Sequence, residues 1–249
     1  MSERTGLHKI KCLNGAHLKL IAMVCMLLDH IWATFSGGQM WMTAVGRIAF
    51  PIFAFQVAEG YAHTKNFKKY LLRMFLFAVI SEIPFNFMLG GWWINPFHQN
   101  VMFTFCIALL MMRLIDRAAG KHWVLRLLVT VAVLVLGYLL GIITFVDYGG
   151  YGVLMVLVFW LFRNVKFHWL IQLAAMICIN CILMKGLQHE FFLFGHRFLF
   201  PNQGFALLAM IPIGLYGGKR GVGQKWFQYA VYAFYPVHML VLYLIAVLF

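Results

Sequence analysis

The chain contains nine apolar stretches, each about as long as a helix needs to cross a lipid bilayer. A hydrocarbon core about 30 Å thick takes about 20 apolar residues at a rise of about 1.5 Å per residue. Charged residues make up only 11% of the chain, against about 25% in soluble domains. We therefore predict an all-α, polytopic transmembrane helical bundle. The expected spans are 18–35, 43–62, 70–89, 100–115, 123–144, 149–163, 167–184, 203–216 and 228–249.

The positively charged residues predict the orientation of this bundle, because Lys and Arg concentrate in the cytoplasmic loops of membrane proteins. Nearly all of them fall in alternate loops; the exceptions are Lys185, Arg197 and, inside the second stretch, Arg47. This alternation places the N-terminus in the cytoplasm and explains the net charge of +13 without nucleic-acid binding. Residues 1–17 are then a cytoplasmic N-terminal segment, and residues 18–249 are one transmembrane domain.

The longest connection on the opposite side, residues 185–202, is aromatic, apolar and basic. We interpret it as a re-entrant or interfacial segment, and a re-entrant segment over 186–200 would add a tenth membrane element. His189, Glu190 and His196 in this connection are of metal-ligand types. An interfacial amphipathic stretch explains the same residues, so we expect no metal.

Five ionisable residues fall within the predicted spans at similar depths. An ionised group in mid-membrane costs on the order of 2.5–3.5 kcal/mol on insertion scales, so such groups pair inside the protein and mark functional sites. The five come from four different stretches, and we expect them to line one polar cavity. They are Asp29, His30, Arg47, Glu82 and His238.

Asp29 and His30 are adjacent, but successive residues point about 100° apart around a helix. We therefore predict separate roles for them. Asp29 pairs with Arg47 as a structural or orienting ion pair. His30 faces the cavity, with its second nitrogen held by Glu82 or another polar group, and acts as a general base because a neutral imidazole accepts protons. The alternative for an intramembrane histidine is a hydrogen-bonded packing role, which applies most directly to His238.

Positive charge and glycine occur together on the predicted cytoplasmic side. Lys19 is near the start of the first stretch, and Lys219 and Arg220 lie in a loop with three glycines. Cations and exposed backbone suit a phosphate group. The positive-inside rule alone would produce the same charges.

Six short motifs occur in order along the chain: LDH at 28–30, GRIAFPIFAF at 46–55, NVMFTF at 100–105, YGGYG at 148–152, LYGGKRG at 215–221 and FYPVH at 234–238. Together they resemble the TraX family, membrane acetyltransferases typified by the F-pilin N-acetylase. The resemblance covers the chain from about residue 18 to the end. It extends to the acyltransferase-3 group, in which a basic residue precedes a histidine in the first helix as Lys19 precedes His30.

The resemblance implies an acyl-CoA-dependent acetyltransferase in the bacterial cytoplasmic (inner) membrane. Acetyl-CoA would be the co-substrate, and the other partners would be membrane lipids and an acceptor protein or glycan at the membrane. The acceptor group would be the N-terminal amine of a pilin-like protein, or another amine or hydroxyl. The alternative is an O-acetyltransferase of a cell-envelope glycan or lipid.

Residue by residue, the resemblance makes His30 the catalytic histidine, and Arg47 and His238 match the second-span and last-span motifs. We add Asp29 and Glu82 to this catalytic group. Cofactor binding is assigned to Lys19, Lys219 and Arg220. Substrate binding at outer span ends is assigned to Asn100 and Tyr148.

Other functions are compatible with the same residues. A proton-coupled transporter also needs ionisable groups in mid-membrane, although the internal repeat of many such folds is not visible. A noncatalytic membrane assembly factor would need no buried charges. Within the acetyltransferase hypothesis, direct transfer and a two-step route through acetyl-His30 both stay open.

Overall fold

The computed structural model describes residues 11–35, 39–184, 186–222 and 225–248. The predicted N-terminal segment 1–17 lies outside these ranges as far as residue 10, and so does Lys185. Within them the chain is mainly helical, as predicted. The α-helices are α1 (Gly15–Thr34), α2 (Met40–Gly46), α3 (Ala49–His63), α4 (Phe67–Gly90), α5 (Val101–Arg117), α6 (Trp123–Ile143), α7 (Gly149–Leu161), α8 (His168–Ile177), α9 (Met210–Gly214) and α10 (Lys225–Leu248).

Among the described residues, five helical segments are long and apolar enough to cross a membrane. They are Gly15–Thr34, Met40–His63, Phe67–Gly90, Trp123–Ile143 and Trp226–Leu248. Their surfaces expose large apolar side chains, such as Leu76 on α4, Leu128 on α6 and Val241 on α10, as expected of helices in contact with lipid. The other predicted spans fold as shorter helices. The count of nine spans and the cytoplasmic N-terminus stay predictions.

The chain divides into two compact units, called here the first and the second unit. The first unit comprises the described residues up to Phe53 and Trp169–Phe234; the second comprises Ala54–His168 and the described chain from Tyr235 onward. The first unit contains α1, α2, α8 and α9, and the second contains α4 to α7. The assignment of 18–249 to a single domain stays a prediction.

In the first unit α1 packs along α2, and a glycine makes the approach possible. A Cβ atom on Gly46 would lie 2.3 Å from the Cβ of Asp29, closer than two carbon atoms can pack. α2 also packs against a 3₁₀-helix over Asn202–Ala209, which leads into α9. The predicted span 203–216 therefore consists of a 3₁₀-helix and a short α-helix, together about 23 Å long.

The connection after α8 contains a β-hairpin of β1 (Gln188–Leu193) and β2 (His196–Pro201), paired antiparallel. The two turn residues, Phe194 and Gly195, have φ angles of 50° and 79°, as a two-residue type I′ turn requires. The all-α prediction is wrong for this segment, whereas its position relative to the membrane, re-entrant or interfacial, stays a prediction. The reason is local: phenylalanine-rich strands flank a glycine turn, and aromatic residues favour strands.

In the second unit α5 is the central helix and contacts α4, α6 and α7. Its Leu109 and Met112 side chains are fully buried. α6 and α7 meet at glycines: a Cβ atom on Gly150 would lie 2.3 Å from the carbonyl oxygen of Tyr138, and one on Gly141 would lie 2.7 Å from the backbone that begins α7. Small residues at a helix contact allow such close packing in membrane proteins.

Backbone pairing joins the segment before α5 to the segment before α7. The N–H of Gln99 donates to the carbonyl of Phe145, and the N–H of Asp147 donates to the carbonyl of Gln99, each at 2.8 Å. This pairing places Asn100 and Tyr148, two predicted site residues, at the same end of the second unit.

Candidate functional site

The first unit contains the ion pair predicted between Asp29 on α1 and Arg47, which follows α2. The Nη2 atom of Arg47 donates to both carboxylate oxygens of Asp29, at 2.5 Å to Oδ1. The Arg47 and Asp29 side chains are 22% and 17% exposed, respectively. The predicted pairing is therefore confirmed, and Gly46 provides the space in which it forms.

Further polar side chains extend this pair into a hydrogen-bonded chain, which we call the Asp29 network. The hydroxyl of Thr43 donates to Asp29 Oδ1 at 2.8 Å, and Asn202 Nδ2 donates to the Thr43 hydroxyl at 3.3 Å. Asn202 Oδ1 lies 2.8 Å from Nε2 of His189. Because this oxygen only accepts, His189 carries a proton on Nε2. Thr43 and Asn202 are buried, at 1% and 4% exposed. The hydrogen bonds from His189 through Asn202 and Thr43 all donate in the direction of the Asp29 carboxylate.

His30 follows Asp29 on α1 and is half-buried. Its carbonyl accepts a hydrogen bond from the Thr34 hydroxyl at 2.8 Å, within the helix. The Asp29 network holds the adjacent residue from α2 and the 3₁₀-helix, so the turn of α1 that carries the imidazole is fixed. Glu82 belongs to the second unit, and its predicted contact with His30 stays a prediction.

The predicted cofactor-binding residues come together in the first unit. The first N–H of α1 donates to the carbonyl of Lys219 at 2.8 Å. The Lys19 ammonium lies 6.0 Å from the ring centroid of Phe227, and Arg220 donates to Gln228, the next residue of α10, at 3.2 Å. We call Lys19, Lys219 and Arg220 the cation cluster.

The cation cluster fits a phosphate through its side chains rather than through the helix terminus. The side chain of Asn14 accepts from the N–H groups of Ala16 and His17 at 3.0 Å, and the N–H of Gly15 is bound to the Lys219 carbonyl. The first turn of α1 therefore has partners for these donors. Ammonium and guanidinium groups form strong charge-assisted hydrogen bonds to phosphate oxygens, so the donor set suits the phosphates of CoA.

In the second unit Glu82 is the centre of a cluster with two asparagines. Its Oε2 accepts from the side-chain and backbone nitrogens of Asn100 at 2.6 and 3.2 Å, and its Oε1 accepts from Asn86 at 3.4 Å. The buried Asn100 side chain also accepts from the N–H of Met102 and donates to the carbonyl of Ala78. The amide of Asn100 is thus bound to protein atoms and holds Glu82. Its substrate-binding role stays a prediction.

Tyr148, which precedes α7, has a left-handed backbone conformation with φ of 61°. Such a conformation costs a non-glycine residue about 1–2 kcal/mol, and outliers of this kind concentrate at functional sites. The N–H of Tyr148 donates to Oδ1 of Asp147 at 3.0 Å, and this oxygen lies 3.7 Å from Nε2 of His98. The Asp147 carboxylate raises the pKa of His98 above its usual value.

His238 is buried on α10, two residues after Pro236. Its ring centroid lies 6.0 Å from that of Tyr235, which is also buried.

The structure places the predicted site residues in two groups, one in each unit, and one cavity shared by all of them stays a prediction. The first unit holds Lys19, Asp29, His30, Arg47, Lys219 and Arg220, and the second holds Glu82, Asn100, Tyr148 and His238.

Several polar residues of these sites could not be, or were not, predicted from the sequence. Thr43 had a usable signal, because it precedes Arg47 by four residues and shares its helix face. Asp147 is next to the YGGYG motif. Asn202 gave no signal, because it is 159 residues from Thr43 in sequence. His189, considered above as a metal ligand, binds Asn202 instead; in the described part of the chain no three His, Cys, Asp or Glu residues gather to hold a metal ion.

Comparison with known proteins defines the family. Residues 14–246 match a protein family that is described as "TraX protein". The chain belongs to the TraX family. This match covers both units and every predicted site residue, and it confirms the resemblance inferred from the six motifs.

Two kinds of curated relative are similar to this TraX family member. The probable fimbrial assembly protein FimC, serogroup H1, of Dichelobacter nodosus is 29% identical over 92% of this chain and 94% of that protein. Protein TraX of Escherichia coli is 29% identical over 57% of this chain and 53% of that protein, and protein TraX of Escherichia coli strain K12 is 28% identical over the same shares. The chain thus matches about half the length of these two TraX proteins. No solved structure matches it.

Proposed function

We propose that this TraX family member is an integral membrane acetyltransferase, which moves an acetyl group from cytoplasmic acetyl-CoA to an acceptor in the cell envelope. The observation that carries the proposal is the arrangement along α1. The cation cluster lies at the start of the helix, and His30, adjacent to the Asp29–Arg47 pair, follows Lys19 by eleven residues. Eleven helical residues span about 16 Å, a length suited to the extended pantetheine arm of CoA.

The residues divide between binding and chemistry. The cation cluster would hold the phosphates of acetyl-CoA, which supplies a thioester carbonyl as acetyl donor. Since the phosphates stay at the helix start, only the acetyl-bearing end has to reach the depth of His30. This division keeps the charged part of the co-substrate out of the hydrocarbon, where its cost would be high.

In the proposed reaction, His30 removes the proton of the acceptor amine or hydroxyl while that group attacks the thioester carbon. The carbon–sulfur bond then breaks, and the proton passes from the imidazolium to the leaving thiolate. Asp29 and Arg47 fix the helix turn that presents His30. The positive charge of Arg47 stabilises the developing oxyanion, since fixed charges act strongly in a water-poor site. In the two-step variant, His30 itself attacks first and carries the acetyl group.

The relatives guide the choice of acceptor. The relative named as a probable fimbrial assembly protein matches over nearly its whole length, so we favour a pilin-like subunit with an N-terminal amine, at the inner membrane. A hydroxyl of an envelope glycan or lipid is the alternative. Treatment of labelled products with hydroxylamine separates the two, because acetate esters are cleaved and acetamides are not.

The base assignment is tested with purified protein in nanodiscs, labelled acetyl-CoA and an envelope fraction. We expect His30→Ala to lower acetyl transfer at least about 100-fold, as loss of a general base does. His17→Ala is the matched control, because His17 is an exposed histidine on the same helix, and its activity should equal that of the parent. Unchanged turnover in His30→Ala would reject the role of this residue. Solute flux without acetyl-CoA would favour a transporter.

A further inference from the structure

The second unit contains a cavity of about 310 Å³ between the end of α4 and the connection to α5. The rings of Phe85 and Trp92 form part of its wall, and Asn86 and His98 contribute polar groups. Its other lining residues are mostly apolar. Apolar walls with a few polar groups are typical of small-molecule sites. Asn86 also connects the cavity to the Glu82 cluster.

The amide of Asn86 presents an oxygen acceptor to this cavity. Its Nδ2 donates at 3.4 Å to Oε1 of Glu82 and to the carbonyl of Trp93. Because both partners are acceptors, the amide nitrogen faces them and Oδ1 is directed away from them. Asn86 is only 3% exposed, and among the hydrogen bonds of the described residues none reaches this oxygen. The oxygen is not among the buried unpaired polar atoms of the described residues, so it is accessible from the cavity and can accept a hydrogen bond from a ligand that donates.

The surroundings of Asn86 are electronegative. The cavity adjoins the C-terminal turn of α4, and helix C-termini carry about half a negative charge on their last carbonyls. Glu82 lies one turn earlier on the same helix, and aromatic faces such as that of Trp92 attract cations. The connections 91–100 and 144–148 contain no Lys or Arg. The basic group of the cavity wall is His98, whose charge faces Asp147.

We infer that this cavity binds a primary ammonium group attached to an apolar body. The ammonium would donate to Asn86 Oδ1, and the apolar part would pack on Phe85 and Trp92. Two sources share this chemistry: the amine of an acetyl acceptor and the ethanolamine headgroup of a phospholipid. The inference rests on the proposed function only where the amine is taken as an acceptor, because binding itself needs no acetyl transfer.

Phenethylamine is a suitable probe, because it joins a primary ammonium to a phenyl ring. Phenethyl alcohol is its neutral counterpart. Binding to the protein in phosphatidylglycerol nanodiscs is measured by equilibrium dialysis, with empty nanodiscs subtracted. We expect phenethylamine to bind at least about ten-fold more tightly than the alcohol, since hydrogen bonds from charged groups are the stronger ones. Equal binding of the two probes would overturn the inference.

Trp92→Ala tests the location of the site. Trp92 is 74% exposed, so the variant should fold, and Trp123 is a matched control that is 69% exposed at the start of α6. We expect phenethylamine binding to weaken about two- to five-fold in Trp92→Ala, the range of an exposed cation–π contact. Binding to Trp123→Ala should equal that of the parent. Equal binding in both variants would contradict the assignment.

Two further arms identify the source and separate this inference from the proposed function. If phosphatidylethanolamine replaces half of the lipid and phenethylamine binding falls in the parent, the headgroup occupies the ammonium site; if binding is unchanged, the site is selective for another amine. Loss of acetyl transfer with retained phenethylamine binding would refute the proposed function alone. Acetyl transfer without phenethylamine binding would refute the ammonium site alone.

Discussion

The Asp29–Arg47 ion pair allows a quantitative test of the first unit by a double-mutant cycle. Asp29→Asn leaves the guanidinium without its carboxylate, and Arg47→Gln leaves the carboxylate without its guanidinium. Removing one partner of a fully buried pair costs about 3–5 kcal/mol, mainly because the other charge stays buried. Here the side chains are 22% and 17% exposed, so water screens part of this cost. We expect each single variant to lose about 2 kcal/mol of unfolding free energy.

The double variant distinguishes a coupled pair from two independent residues. With both charges removed, no buried charge is left unpaired, so the loss should stay at about 2 kcal/mol rather than reach the additive value of about 4 kcal/mol. The expected coupling energy is therefore about 2 kcal/mol, within the range of contacting residues. The measurement is reversible unfolding in mixed micelles of a mild detergent and dodecyl sulfate, followed by circular dichroism.

Arg126→Gln is the control for loss of positive charge, because Arg126 is exposed on α6, and its effect should stay within about 0.5 kcal/mol. Additive losses in the double variant, or single losses no larger than that of the control, would refute the assignment of a buried orienting pair. Acetyl transfer adds a separate readout. If Arg47 also stabilises the oxyanion, the double variant stays inactive although its stability is close to that of either single variant.

Two more variants test local geometry. Gly46→Ala places a methyl group against Asp29 and should lower the free energy of unfolding by at least about 2 kcal/mol through overpacking. Gly214→Ala is the control in the same unfolding assay, because a Cβ atom there meets open space. Equal losses in the two variants would contradict the close approach of Gly46 to Asp29. His98 has a raised pKa beside Asp147, so its protonated form stabilises the folded state. This stabilisation is complete below about pH 6.5 and is lost as the pH rises through the higher pKa of the folded state. Thermal unfolding of the parent from about pH 5 to about pH 9 should show this loss, which stays below about 1 kcal/mol because both groups are partly exposed. The variant His98→Gln should not show it. Identical pH profiles of the two proteins would refute the stabilising role of His98.

The ion pair could be predicted because the membrane leaves few options. An Asp and an Arg at mid-membrane depth each need a partner of opposite charge, and the chain has only seven acidic residues. The long helices could be predicted for a similar reason, since a predominantly apolar stretch of about 20 residues is typical of a membrane-spanning helix. In both cases the lipid bilayer imposes the constraint on the sequence, so the prediction needs no knowledge of tertiary contacts.

The hairpin and the asparagine contacts could not be predicted in the same way. A short aromatic run such as 188–201 is compatible with a strand or an interfacial helix, and the outcome depends on the turn at Phe194 and Gly195. The resemblance assigns substrate binding to Asn100, but nothing in the sequence indicates that its amide also caps α5 and holds Glu82. Asn202 reaches Thr43 only through the tertiary fold. Hydrogen-bond partners of this kind depend on distances that no sequence spacing encodes.

The two carboxylates of the predicted site, Asp29 and Glu82, are each held by several hydrogen bonds. Asp29 accepts from Arg47 and Thr43, and Glu82 accepts from two asparagines. A proton-coupled transporter relies on carboxylates that gain and lose a proton as their partners change during the cycle. A fixed ion pair instead suits a site in which neighbouring groups must keep one geometry, as general-base catalysis requires. The rigid hydrogen bonding of Asp29 beside His30 therefore supports the proposed transferase over the transporter.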